Sequence, residues 1–184
     1  MTPDILHANF PDDVPLPDTL VRLCAYTEAA GTNSLGGDLN LSATGRRSLE
    51  AGSPDVPGLA DHFIVFAADG SGAMYGYWRY EQQPLDRAPL VYLDDEGVDN
   101  RVLANTIEEL LTLIALGQPY LGVVDKWDED EQPDPYTTRY RVWLRAELQI
   151  EAPTVAQARV IVERATAAHP DINAWLERLL GIED

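Results

Sequence analysis

Hydrophobic positions along the chain change their period several times, and the changes mark the elements. After the proline-punctuated lead-in FPDDVPLPDTL, Leu20, Leu23, Cys24 and Thr27 recur at helical spacing up to Gly31. That spacing predicts a first helix with Asp18 as its cap. The stretch from Gly31 to Gly58 is rich in Gly, Ser, Asn and Pro and reads as a long loop, with one short strand near Leu39 and Leu41. Its adjacent basic pair, Arg46-Arg47, reads as solvated or salt-bridged. From His62 to Ala68 an apolar run suits a buried strand. In Met74 to Tyr80, Tyr75, Tyr77 and Arg79 alternate with Met74, Gly76, Trp78 and Tyr80. Aromatics in such alternation fit a pleated, half-buried surface. Pro89 to Leu93 predicts a third strand, closed by the acidic turn Asp94-Asp95-Glu96-Gly97.

The clearest helix follows. Thr106 and Glu109 have the spacing of a capping box, and Glu108 and Glu109 suit the positive end of the helix dipole. Ile107, Leu110, Leu111, Leu113 and Ile114 make a broad apolar face that should pack on the sheet, and Gly117 and Pro119 end the segment. Residues 125–135, DKWDEDEQPDP, read as an exposed acidic link, while RYRVWLRAELQI (139–150) is compatible with a strand or a short helix. Two helices close the chain. The first has Thr154 at its cap and Val155, Ala158, Ile161, Val162 and Ala165 on one side; the second runs from a cap at Asp171 to a stop at Gly181. The pattern predicts the α+β class: a small, mainly antiparallel sheet packed by helices, with a C-terminal helical extension. A single domain is expected, divided into a core (12–117) and an extension (118–184) with two helices packed on it.

Charge narrows the choice of partners. The 184 residues include 31 acidic and 13 basic ones, a formal net charge of -18, and Lys126 is the only lysine. Nucleic acids and anionic membranes are bound through basic patches, so neither is expected as a partner. A basic protein partner, steered by the field, is. Acidic residues exceed basic ones in every part of the chain, so the acidity belongs to the body and not to a tail. With 45% hydrophobic residues a real core is expected. The lone Cys24 supplies no disulfide framework, and it reads as a small buried hydrophobe. The first residues carry no signal-peptide pattern and no apolar run has the length of a membrane span, so a cytoplasmic protein is expected.

Candidate chemistry is sparse. Asp69-Gly70-Ser71-Gly72 lacks the lysine of a phosphate-binding loop and leads into a strand, and the next positions lack the carboxylates of a calcium loop. Between two strand-like runs it reads as a hairpin turn. His7, His62 and His169 are far apart and form no local ligand pair. The carboxylates of Asp94, Asp95 and Glu96 are placed as acid/base groups could be, but fit a solvated turn better. Neither a catalytic residue, a metal nor a cofactor is expected.

In order along the chain, Leu16-Pro17 with the first helix, Phe66-Ala67-Ala68-Asp69-Gly70-Ser71-Gly72, Tyr77-Trp78, Pro89-Leu90-Val91-Tyr92-Leu93, and Ala104-Asn105-Thr106-Ile107-Glu108-Glu109-Leu110-Leu111 resemble the SUKH superfamily. That is the fold of many bacterial toxin-immunity proteins, also seen in fungal cell-wall-assembly regulators. The resemblance covers residues 13–117; the stretch 34–57 lacks clear strand signals and 118–184 has no counterpart. It implies a non-catalytic module that binds and neutralises a cognate toxin, often a nuclease. The alternative is an intracellular regulator or scaffold of the same fold. An enzyme with an unrecognised carboxylate site is the third possibility. The partner contacts expected are Asp94, Asp95, Glu96 and Asp99, with Asp128, Glu129, Asp130 and Glu131 beside Trp127.

Overall fold

The hairpin Asp69-Gly70-Ser71-Gly72 joins two strands at the middle of an antiparallel sheet. In the computed structural model, which describes residues 1–31, 35–36, 39–52, 56 and 58–181, the sheet has five strands in sequence order. They are β1 (Asn40–Leu41), β2 (Phe63–Ala68), β3 (Met74–Trp78), β4 (Leu90–Leu93) and β5 (Arg101–Ala104). The register is Ile64 with Tyr77, Tyr75 with Tyr92, and Val91 with Val102. The helices are α1 (Pro3–His7), α2 (Asp18–Ala30), α3 (Gly45–Gly52), α4 (Ile107–Ile114), α5 (Pro135–Leu148), α6 (Val155–Ala168) and α7 (Ile172–Leu180). The α+β class holds.

Both faces of the sheet are covered, which is why β2 and β4 read as continuous apolar runs. Alternation still sorts their side chains. Ile64, Phe66, Tyr75, Tyr77, Leu90 and Tyr92 enter one core with residues of α1, α2, α4 and α5. Phe63, Val65, Trp78, Val91, Leu93 and Val102 enter the other, with Leu49 of α3 and Ile172 of α7. A register shift between Val65 and Ala67 marks a bulge in β2. Helix α6 serves both cores: Val155, Ala158 and Val162 belong to the first and Ala165 to the second.

The caps at α4, α6 and α7 form as their sequences predict. Thr106 Oγ1 accepts from the Glu109 amide at 3.2 Å, although the Glu109 carboxylate reaches back to Asn105 N–H (2.8 Å) and not to Thr106. At α6 both halves of a capping box form between Thr154 and Gln157. Asp171 accepts from the Ala174 amide, and Gly181 ends α7 in the left-handed region at φ 67°. Asp18 does not cap α2. Pro17 holds the cap position with no side-chain bond, and Asp18 lies within the first turn, where its charge still suits the dipole.

Three elements depart from the sequence expectation. The stretch expected to be a loop contains α3, held by Leu49 in the second core and by the Arg46–Glu50 pair at 3.0 Å. A fifth strand precedes α4 where none is expected, since Arg101–Ala104 is too short to show a period. Among the described residues from 118 to 181 there are three α-helices, not two. The ambiguous RYRVWLRAELQI segment lies mostly within α5, which starts earlier on the Asp134 cap. Thr137, Tyr140 and Leu144 are its buried positions, at helical spacing. Tyr140 O–H donates to Leu111 O (3.1 Å), and Arg141 donates to Ala115 O (2.7 Å) and Leu116 O (3.1 Å). Leu111 O also accepts the Ala115 amide at 3.2 Å, and the Ala115 and Leu116 carbonyls lie just past α4, where no further helical turn supplies an amide. Part of the expected loop, residues 32–34, 37–38, 53–55 and 57, lies outside the described residues.

Candidate functional site

Antiparallel pairing brings the β2–β3 and β4–β5 connections to the same end of the sheet, and carboxylates gather there. Asp69 holds its own turn: Oδ1 accepts from Ser71 N–H (3.0 Å), Ser71 O–H (2.7 Å) and Ala73 N–H (3.2 Å). Its Oδ2 accepts from Tyr75 O–H at 3.1 Å. The tetrad is therefore a turn whose acid is spent on local bonds. A Cβ added at Gly72 would stand 3.7 Å from Asp95 Cβ, which places the second turn beside the first.

In the β4–β5 turn Asp94 differs from its neighbours. Tyr92 O–H donates to Oδ1 (3.2 Å), Val98 N–H donates to Oδ2 (3.3 Å), and the Asp94 amide donates to Asn100 Oδ1 (3.1 Å). Burial first, and then the facing carboxylates of Asp69 and Asp94, push the Tyr75 and Tyr92 hydroxyls well above their ordinary range. Both stay protonated donors. Buried Asn100 donates to Gly97 O (3.2 Å) and to Asn173 Oδ1 (2.9 Å) of α7. The turn is thus fixed at its base, while Asp95, Glu96 and Asp99 stand exposed.

Beside this turn lies a cleft of about 240 Å³. Leu49, Leu59, Phe63, Met74, Leu93 and Leu176 supply its apolar wall, and Asp94, Asp95 and Glu96 its acidic lip. Neither Asn100 nor this wall was legible in the sequence as part of a site. The Asp94…Asn100 spacing suits a turn, but nothing in the chain signals a bond across 73 residues to Asn173.

The second expected group lies elsewhere. Trp127 is 5% exposed and belongs to the first core, its indole N–H donating to Leu121 O at 3.1 Å. It anchors the acidic stretch from beneath. Gln118 grips Asp128 through both backbone groups (2.9 and 3.0 Å). Asp128, Glu129 and Glu131 then line a different cleft of about 330 Å³ with Arg141 and the start of α6. Asp130 is exposed beside them. The segment between the groups does touch the root of the first: Asp125 pairs with Arg101 at 3.2 Å, and Gly122 lies against the Tyr92 ring.

The histidines are dispersed. His7 faces Val14 O at 3.1 Å, and His62 faces Arg79 O at 3.1 Å. His169 lies between Asn105 Oδ1 (3.0 Å) and Tyr80 O–H (3.2 Å), and burial lowers its pKa. Cys24 is fully buried, and desolvation raises its thiol to about 11. Among the described residues no group of three or more His, Cys, Asp or Glu is placed to hold a metal ion. No described helix is long and apolar enough to cross a membrane. No family model, curated protein or solved structure matches the chain.

Proposed function

We propose that the chain is a non-catalytic binding module that engages a basic protein through the acidic end of its sheet. In the setting implied by the SUKH resemblance, that protein is a toxin domain, and binding neutralises it in the cytoplasm. The observation that carries this reading is the β4–β5 turn. Its base is fixed by Asp94 and Asn100, yet it holds the carboxylates of Asp95, Glu96 and Asp99 out in solvent. A turn fixed in this way lowers the ordering cost of binding, and the charge of -18 favours rapid encounter with a basic surface. A toxin that acts on nucleic acid presents such a surface. The same geometry supports a role in binding over one in acid/base chemistry: in the two turns the partly buried carboxylates, Asp69 and Asp94, are occupied by tyrosine and backbone donors, and Asp95, Glu96 and Asp99 are solvated.

The test is affinity capture of the tagged protein from its own cells, washed at low and then high salt, with mass spectrometry of what is released. Recovery of one basic toxin domain, released by salt and not captured by the D95N/E96Q/D99N variant, is the expected result. Recovery of housekeeping proteins instead would favour the regulator; capture of nothing would defeat the reading.

A further inference from the structure

We infer that the cleft beneath the β4–β5 turn is a receptor for one arginine side chain of the partner. This rests on the binding reading above and specifies its anchor. The cleft lies between α3, the sheet and α7, and its lining divides by chemistry. The wall is aliphatic and aromatic, from Leu49, Leu59, Phe63, Met74, Leu93 and Leu176. The lip carries Asp94, Asp95 and Glu96. Among the described residues the Asp95 and Glu96 side chains take part in no ion pair. Asp94 is already engaged by Tyr92 and Val98.

Three physical arguments select the occupant. A volume of about 240 Å³ lies below the roughly 300–1,000 Å³ usual for small-molecule sites, so it suits a single side chain. A wholly apolar side chain would fill the wall but desolvate the carboxylates at the lip without pairing them, which is costly. An acidic one would be repelled. Arginine meets both parts: its methylene stem lies along apolar surface while its head stays at the rim. Its planar guanidinium is weakly hydrated and offers several donors at once, which suits two adjacent carboxylates better than the compact ammonium of lysine. Arginine is also enriched among residues that dominate interface energetics when seated in a pocket. The acidic cleft near Asp128 lacks this division, since Arg141 already supplies a cation within it.

The experiment is a titration of the full chain, methyl-labelled, with the capped tripeptide acetyl-Leu-Arg-Gly-amide, followed by NMR. Saturable shifts are expected at the methyls of Leu49, Met74, Leu93 and Leu176 and at the amides of Asp95 and Glu96. Replacing arginine by glutamine in the peptide, or using the D95N/E96Q protein, should weaken binding roughly tenfold, the loss of about one charge-assisted contact. Ser48→Trp, which places a ring at the mouth, should abolish the methyl shifts. D12N/D13N, which removes the same charge away from the cleft, should leave the affinity within about twofold if the pocket and not the general field is responsible. Absence of saturable methyl shifts, equal binding of the glutamine peptide, or equal loss in D12N/D13N would overturn the inference. These outcomes are separate from those of the capture experiment. A basic toxin captured through Asp95 and Glu96 without peptide binding in the cleft would leave the function and remove the anchor. Peptide binding with no toxin captured would do the reverse.

Discussion

Asn100 and Asn173 hold each other by a reciprocal pair of bonds: Asn100 Nδ2 donates to Asn173 Oδ1 at 2.9 Å, and Asn173 Nδ2 donates to Asn100 O at 3.1 Å. The pair ties the acidic turn to α7, so the lip and one wall of the cleft are positioned together. Asn173→Leu leaves buried Asn100 with an unmade bond, and such a loss costs about 1–3 kcal/mol. The urea midpoint should fall accordingly, and amide exchange in residues 94–99 should rise more than exchange in β2 and β3.

Trp127 separates a structural anchor from a surface contact. Its ring is buried in the first core, and its N–H has a carbonyl partner. Trp127→Ala should cost about 3–5 kcal/mol by emptying a core site. Trp127→Phe, which keeps most of the ring, should recover most of the loss. Denaturant unfolding of both variants measures the difference.

His169 gives the fold a dependence on pH whose sign follows from its surroundings. Asn105 Oδ1 can only accept, so Nε2 carries the proton of the neutral ring, and Nδ1 is left to accept from Tyr80 O–H. Protonation of Nδ1 removes that acceptor, and burial opposes the charge, so the folded pKa lies below the ordinary 6.5. Below 6.5 the unfolded chain takes up a proton that the folded chain resists. Stability should therefore be lost progressively as pH falls from that value through the folded pKa. Unfolding midpoints between about pH 5 and 7, above the range in which ordinary carboxylates titrate, should show this slope, and His169→Gln should flatten it.

Cys24 should be chemically silent in the native protein. Its side chain is fully buried on α2, and desolvation raises the thiol to about 11, so little thiolate forms at neutral pH. A thiol-reactive chromophore should label no cysteine in buffer and one per chain in denaturant. Rapid native labelling would show that α2 opens locally.

Gly122, in the segment after α4, lies directly against the sheet. A Cβ there would collide with the Tyr92 ring. Gly122→Ala should destabilise the fold by about 1–3 kcal/mol through overpacking. It should also shift the Tyr92 ring resonances, because the ring whose hydroxyl supports Asp94 must move.

What was legible in the sequence came from local rules. The period of two in Met74–Trp78 sorted Tyr75 and Tyr77 from Met74 and Trp78 before any contact was known, and the structure sends the two sets to opposite cores. The caps at Thr106, Thr154 and Asp171 were readable because a cap needs only three or four neighbouring residues. Helix α3 was not, because its stability comes from Leu49 meeting the sheet and from the Arg46–Asp61 pair at 2.6 Å, both distant in the chain. Strand β5 was not, because four residues show no clear period and its pairing depends on β4.

The candidate site divides in the same way. Sequence by itself determined the excess of negative charge and the two turns, Asp69-Gly70-Ser71-Gly72 and Asp94-Asp95-Glu96-Gly97. Only the tertiary structure decided that Asp94 is bound while Asp95 and Glu96 are exposed, that Trp127 is a core residue, and that an apolar cleft opens beside the acidic turn. The physical reason is range. Periodicity, caps and charge are properties of adjacent residues, whereas a cleft wall drawn from α3, β2, β3, β4 and α7 exists only once those segments have packed.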